Sequence, residues 1–135
     1  MIKLIIIIQC DITLQRCPGF FCNRAFVNKT GGFEKINYDK NTLKISMSCG
    51  GCCGKAIHRK LSHLIKVAKK FDNIEKNEIL VKLASCITKD NYHGPKCPTL
   101  NYILKLIEKL GLEYSFDTHI SKKAEEQRQK GLYEK

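Results

Sequence analysis

The 135-residue chain has no tryptophan, three prolines and far fewer acidic than basic side chains, 13 against 24. It also lacks any apolar run near the roughly 18 residues that a membrane-spanning helix needs. The opening run, Leu4 to Ile8, is too short for a signal-peptide core, and no small-residue cleavage site follows it. These absences argue against a membrane span and against secretion, so the expected compartment is the cytoplasm, where thiols stay reduced. No residue type is so depleted that a core could not form. With 43% hydrophobic residues and clear apolar periodicity, the chain reads as folded rather than disordered.

The formal charge of +11 raises the question of a nucleic-acid partner. The lysines, however, are scattered along helices (Lys66, Lys69, Lys70; Lys105, Lys109; Lys122, Lys123) rather than gathered in one arm. Aromatics are only 8%, with no pattern of the RNA-recognition kind. Nucleic acid is therefore the weakest of the partner classes considered.

The apolar pattern alternates strand and helix. Lys3 to Gln9 is a continuous β-branched stretch, the mark of a strand buried on both faces. A short helix is expected around Cys22 to Asn28, ended by Thr30-Gly31-Gly32, and a second strand over Leu43 to Ser48. From Lys55 to about Lys70 a long helix carries Ile57, Leu61, Leu64, Ile65 and Ala68 on one face. Glu78 to Ala84 reads as a third strand. Thr99 to Leu110 reads as another amphipathic helix, with Leu100, Ile103, Leu104, Ile107 and Leu110 inward and Gly111 as its stop. Leu112 to Phe116 completes the strands, and Ile120 to about Tyr133 is a charged final helix. Strand–helix repetition at this spacing gives an α/β domain. The expectation is a compact three-layer fold with a four-stranded, mainly parallel sheet, of the flavodoxin or Rossmann kind. Residues 1–120 would form this domain and 121–135 a charged tail.

What the chain has in excess is cysteine, eight in all. Cys10 follows the first strand, Cys49 the second and Cys86 the third, while His119 follows the fourth. In a parallel sheet those ends share one edge, where open α/β sheets bind their ligands. Cys17, Cys22, Cys52, Cys53 and Cys97 fall in loops leaving the same edge. Buried cysteine can be a small hydrophobe, but that alternative would spread eight of them through strands and both edges. Cys49-x-x-Cys52 can chelate from a tight turn that Gly50 and Gly51 permit. The following helix would direct its positive dipole end at these thiols and lower their pKa. His93 and His58 are weaker ligand candidates. His63 and Lys55 are better read as solvated. The loop lacks the spacing of a phosphate-binding Walker motif, and no Ser or Thr follows Lys55.

At Cys49-Gly50-Gly51-Cys52 the sequence resembles the CGGC-domain family. The resemblance continues through Cys10-Asp11, the segment Cys17-Pro18-Gly19-Phe20-Phe21-Cys22, Ala25-Phe26 with Thr30-Gly31, Ser85-Cys86-Ile87, Cys97-Pro98 and Thr118-His119. Where the family pattern has proline after the second cysteine, this chain has Cys53. The resemblance implies a metal-binding role and no particular activity.

Zinc takes four ligands, and an iron–sulfur cluster takes four cysteines. The candidate metal ligands are Cys10, Cys17, Cys22, Cys49, Cys52, Cys53, Cys86, Cys97 and His119. Eight sulfurs suit two 4Fe–4S clusters, and the paired CxxC spacing of zinc ribbons is absent, so iron–sulfur is weighed above zinc. The alternative is a thiol–disulfide redox enzyme with Cys49 as nucleophile and Cys52 as resolving cysteine. Expected partners are a redox or metal-donor protein and a second copy of the chain. The sequence defines no substrate or reaction.

Overall fold

The computed structural model describes residues 1–14, 17–50, 55–88 and 100–118, together with Glu126. Four strands, β1 (Leu4–Gln9), β2 (Leu43–Ser48), β3 (Ile79–Leu83) and β4 (Glu113–Phe116), form one sheet. The strand order is β2-β1-β3-β4, and every pairing is parallel. The expected α/β architecture is the observed one. All six residues of β1 are buried, as an unbroken β-branched strand at the centre of a parallel sheet requires. Leu43 of β2 is exposed because β2 is an edge strand, and only Ile45 and Met47 of that strand pack on the main core.

Helix α1 is a single turn (Asp11–Leu14) and α2 spans Phe20–Asn28; α3 is the long helix Lys55–Asp72. A second single turn, α4, covers Ser85–Thr88, and α5 covers Leu100–Lys109. The two short helices and the 3-10 turn at Gly31–Phe33 are absent from the sequence reading, because one turn is too short to show a period. The two long apolar faces appear where the periodicity put them. Ile57, Leu61 and Ala68 of α3, and Ile103 and Ile107 of α5, are buried against Leu4, Ile6 and Ile8 of β1 with Val81 and Leu83 of β3. Gly111 ends α5 with φ of 77°, a conformation that costs glycine little.

The opposite face of the sheet carries a smaller core of Ile5, Ile7 and Leu80 under Ala25, Phe33 and Tyr38. Phe26 stacks on Tyr38 at 5.1 Å between ring centroids, and the Tyr38 hydroxyl donates to the Phe26 carbonyl at 2.6 Å. The layers are thus α2 with its following turn, the sheet, and α3 with α5. Burial pushes the Tyr38 hydroxyl pKa up to about 12. The final helix expected over residues 120–133, and with it the proposed charged tail, lies outside the described residues apart from Glu126.

The strand order fixes where a ligand would sit. From β1 the chain moves to β2 on one side, then crosses back to β3 on the other. Such a reversal opens a crevice beyond the carboxyl ends of β1 and β3.

Candidate metal centre

The ladder extends past the carboxyl ends of the strands and makes that edge rigid. Cys49 N–H donates to the Gln9 carbonyl at 2.8 Å, Ala84 N–H to Ile8 at 2.9 Å, and Asp117 N–H to Leu83 at 2.8 Å. Immediately beyond this zipped edge come Cys10, Cys49 and Cys86. The Cys10 amide donates to Cys86 Sγ at 3.4 Å, and the next amide, Asp11, donates to Cys49 Sγ at 3.4 Å. Consecutive amides thus hold two sulfurs that arrive from opposite sides of β1. The Cys10 amide favours the Cys86 thiolate, because an N–H donor stabilises the charge on sulfur.

Two more sulfurs come from the segment that leads into α2 and from the first turn of that helix. Gly19 N–H donates to Cys17 Sγ at 3.5 Å. Gly19 itself has φ of 76°, and a Cβ added there would lie 3.0 Å from Gln9 Nε2. This turn therefore rests on the last residue of β1, which a larger side chain would push away. Cys22 Sγ lies 3.0 Å from Thr118 Oγ1, just past β4. Thr118 is fully buried, and its own amide donates to Ser85 Oγ at 3.4 Å. Its carbonyl accepts from Gly32 N–H at 2.9 Å.

Cys10 and Cys49 are buried, whereas Cys17, Cys22 and Cys86 are half-buried, and all five are thiols. Burial pushes the Cys86 thiol up to about 12. The Cys10 amide opposes the shift, and the neighbouring Cys10, Cys22 and Cys17 sulfurs add to it. Without a cation nearby this group stays protonated. A bound metal would reverse the balance, since metal binding displaces thiol protons. Among the described residues no three His, Cys, Asp or Glu side chains converge closely enough to hold a single ion. Cys52, Cys53, Cys97, His119 and His93 lie outside the described residues. His58 is half-buried in the first turns of α3, and His63 is exposed.

A family model of the CGGC domain matches residues 4–119. The chain belongs to the CGGC-domain family. The match takes in all four strands of this CGGC domain and all eight of its cysteines. No curated protein matches it significantly, nor does any solved structure. Among the described residues of the CGGC domain no helix is long and apolar enough to cross a membrane.

Two residues near the CGGC-domain edge escaped the sequence reading of function. One is Thr118, the buried post that meets Cys22. The other is Lys82, in β3, which is 1% exposed although a lysine. Its ammonium donates to the Gly32 carbonyl at 2.7 Å, to Ser115 Oγ at 2.9 Å and to the Phe116 carbonyl at 2.9 Å. Burial lowers its pKa to about 8, against a smaller opposing pull from Asp117. Gly32 sits so close to the same segment that an added Cβ would fall 1.9 Å from the Asp117 carbonyl oxygen. Lys82 and Gly32 thus weld the Gly31–Phe33 turn to the end of β4, where Thr118 faces Cys22. The signal was present in the sequence as one lysine inside the apolar stretch Ile79-Leu80-Val81-Lys82-Leu83.

Proposed function

We propose that this protein binds a metal centre through cysteine thiolates at the carboxyl edge of its sheet, with an iron–sulfur cluster favoured over zinc. The observation that carries the reading is the gathering of Cys10, Cys17, Cys22, Cys49 and Cys86, from separate stretches of chain, at one edge, with backbone or hydroxyl partners for the sulfurs of Cys17, Cys22, Cys49 and Cys86. Thiolate sets of this kind select zinc, copper(I) or iron–sulfur clusters. A zinc takes four ligands and an iron–sulfur cluster four cysteines, and the chain's eight cysteines, without the paired CxxC spacing of zinc ribbons, are what favours clusters. When bound, such a cluster supplies one-electron chemistry. The chain's part is to hold the sulfurs, shield Cys10 and Cys49 from water and donate N–H groups to Cys86 and Cys49.

On this reading the protein acts in electron transfer or in metal and cluster handling, with a redox protein or a metal donor or acceptor as partner. The thiol–disulfide reading is less well supported. Its nucleophile, Cys49, is only 4% exposed, whereas reactive cysteines sit partly exposed where a substrate disulfide can reach them.

The test is anaerobic purification followed by a visible spectrum and metal analysis of the same sample. Several irons per chain with a broad sulfur-to-iron band support the cluster. A colourless protein with bound zinc supports the zinc alternative. A protein without metal whose Cys49 and Cys52 oxidise reversibly overturns the reading in favour of the redox enzyme.

A further inference from the structure

The long helix α3 carries a basic ridge without counter-charge. At about 100° per residue, Arg59, His63, Lys66 and Lys70 fall within about 60° of one another. They lie opposite Ile57, Leu61 and Ala68, which are buried against the sheet, and all four are exposed. The ion pairs among the described residues, Lys3 with Glu78 and Lys69 with Glu75, include none of them. Nor is a carboxylate near in sequence, since no Asp or Glu stands between Lys40 and Phe71. The cations on the flanks of the ridge are tied down instead. Lys60 Nζ donates to the Ser48 carbonyl at 3.3 Å, and Lys69 pairs with Glu75 at 3.1 Å.

This pattern does not favour the helix. The first turn of α3 contains Lys55 and no carboxylate, although the positive dipole end of a helix favours acidic residues there. Arg59 follows Lys55, and Lys70 follows Lys66, at the i, i+4 spacing where like charges weaken a helix. Positions that break a local rule at a cost in stability are where function is to be sought. The ridge also starts at the cysteine edge. A Cβ added to Gly50, next to Cys49, would lie 2.3 Å from Ala56 Cβ, so the first turn of α3 rests on that edge. From Arg59 the ridge runs about 16 Å to Lys70. It ends at Phe71, which is 73% exposed with the Lys70 ammonium 5.5 Å from its ring centre.

We infer that the ridge Arg59, His63, Lys66 and Lys70 of α3 docks an acidic partner protein and seats it beside the cysteine edge. That this partner serves the edge rests on the metal-binding reading above; the docking surface does not. Basic side chains one helical turn apart match carboxylates that repeat along an acidic surface helix. Phe71 adds an aromatic contact of the kind that interface hot spots favour. A nucleic acid fits less well. One aromatic at the end of the ridge is no platform for successive bases of a single strand. A duplex presents phosphates on both sides of a groove, and the flanking cations that would reach them, Lys60 and Lys69, are already engaged. Opposite charge across such a surface speeds encounter and selects the partner, which suits a brief exchange of electrons or metal.

The test follows the fluorescence anisotropy of a labelled helical peptide, its glutamates repeating at i, i+4, i+7 and i+11, titrated with the full chain at low ionic strength. Wild type is compared with the ridge variant Arg59→Glu/Lys66→Glu/Lys70→Glu. The control has the same charge change, Arg24→Glu/Lys35→Glu/Lys40→Glu, at exposed positions of α2 and the loops beyond it, on the other face of the sheet. The ridge variant should bind at least ~10-fold more weakly than wild type, and the control within about threefold of wild type. Equal weakening in both means that net charge alone attracts the peptide, and overturns the inference. So does a wild type that does not bind the peptide, or a DNA duplex that binds more tightly than the peptide through the same ridge. Should a charge reversal prevent folding, Arg59→Gln/Lys66→Gln/Lys70→Gln against Arg24→Gln/Lys35→Gln/Lys40→Gln makes the same comparison. Anisotropy reads the surface whether or not metal is bound. Protein without metal that binds through the ridge therefore upholds the surface while the metal-binding reading falls.

Discussion

Replacing Lys82 by methionine tests the physics of the sheet beneath the cysteine edge. Methionine keeps a long unbranched side chain, so packing changes little, but the charge and three donated hydrogen bonds vanish. Two effects oppose each other at neutral pH. The Gly32 and Phe116 carbonyls lose their ammonium partner, at about 1–3 kcal/mol each where they remain unsatisfied. Against this, the variant no longer carries a buried charge. The lysine pKa falls from 10.5 to about 8 through burial. That fall corresponds to roughly 3 kcal/mol of preference for the neutral form in the folded state. The net effect at pH 7 is therefore modest.

The pH dependence is the sharper readout. Between about pH 8 and 10.5 the unfolded chain still binds the Lys82 proton while the folded chain has released it, so this group makes stability rise with pH. Below pH 8 both states are protonated and its contribution is flat. Other groups oppose the rise at high pH: the Cys86 thiol and the Tyr38 hydroxyl, both with raised pKa values, make stability fall above about pH 9 and 10 respectively. They are common to both proteins and cancel in the difference. Urea unfolding of metal-free, reduced wild type and Lys82→Met at pH 7.0, 8.0, 9.0 and 9.5 should show the wild type gaining about 2 kcal/mol on the variant, nearly all of it above pH 8. A constant difference across that range would refute a buried, destabilised ammonium in β3.

Gly32→Ala should destabilise the fold by about 1–3 kcal/mol or more, because its Cβ would meet the Asp117 carbonyl, a backbone atom that cannot swing aside; thermal unfolding would read this, and an unchanged midpoint would contradict the close approach. At Thr118, alanine and serine both lose the methyl group, but only serine keeps a hydroxyl for Cys22. Zn²⁺ affinity, measured by competition with a chromophoric chelator, should fall about 10–100-fold in Thr118→Ala relative to Thr118→Ser. Equal affinities would reduce Thr118 to a packing role. In the metal-free, reduced protein at pH 7.5, Cys86 should alkylate at least ~100-fold more slowly than in urea, since burial raises its pKa from 9.0 to about 12. Peptide mass spectrometry after timed iodoacetamide labelling measures this, and rapid labelling would show that the thiol is not desolvated.

Much of the architecture was legible because it is written in periods. The apolar faces of α3 and α5 and the unbroken β1 strand depend on local repeats, and local repeats survive without knowledge of the fold. The placement of Cys10, Cys49 and Cys86 at one edge followed too, because parallel strands carry their carboxyl ends to the same side. What the sequence could not carry is anything set by lateral order. Alternating strands and helices are compatible with several arrangements, and it is the observed placing of β1 between β2 and β3 that puts Cys86 and Cys49 on opposite sides of Cys10. The same holds for Lys82. Its sequence neighbours are apolar, and the acceptors that make its burial tolerable come from Gly32, Ser115 and Phe116, far away in the chain. Thr118 becomes a post for Cys22 only because the Gly31–Phe33 turn, β4 and α2 meet there. The residue types of the candidate ligands are thus local information, whereas which of them meet in space is tertiary.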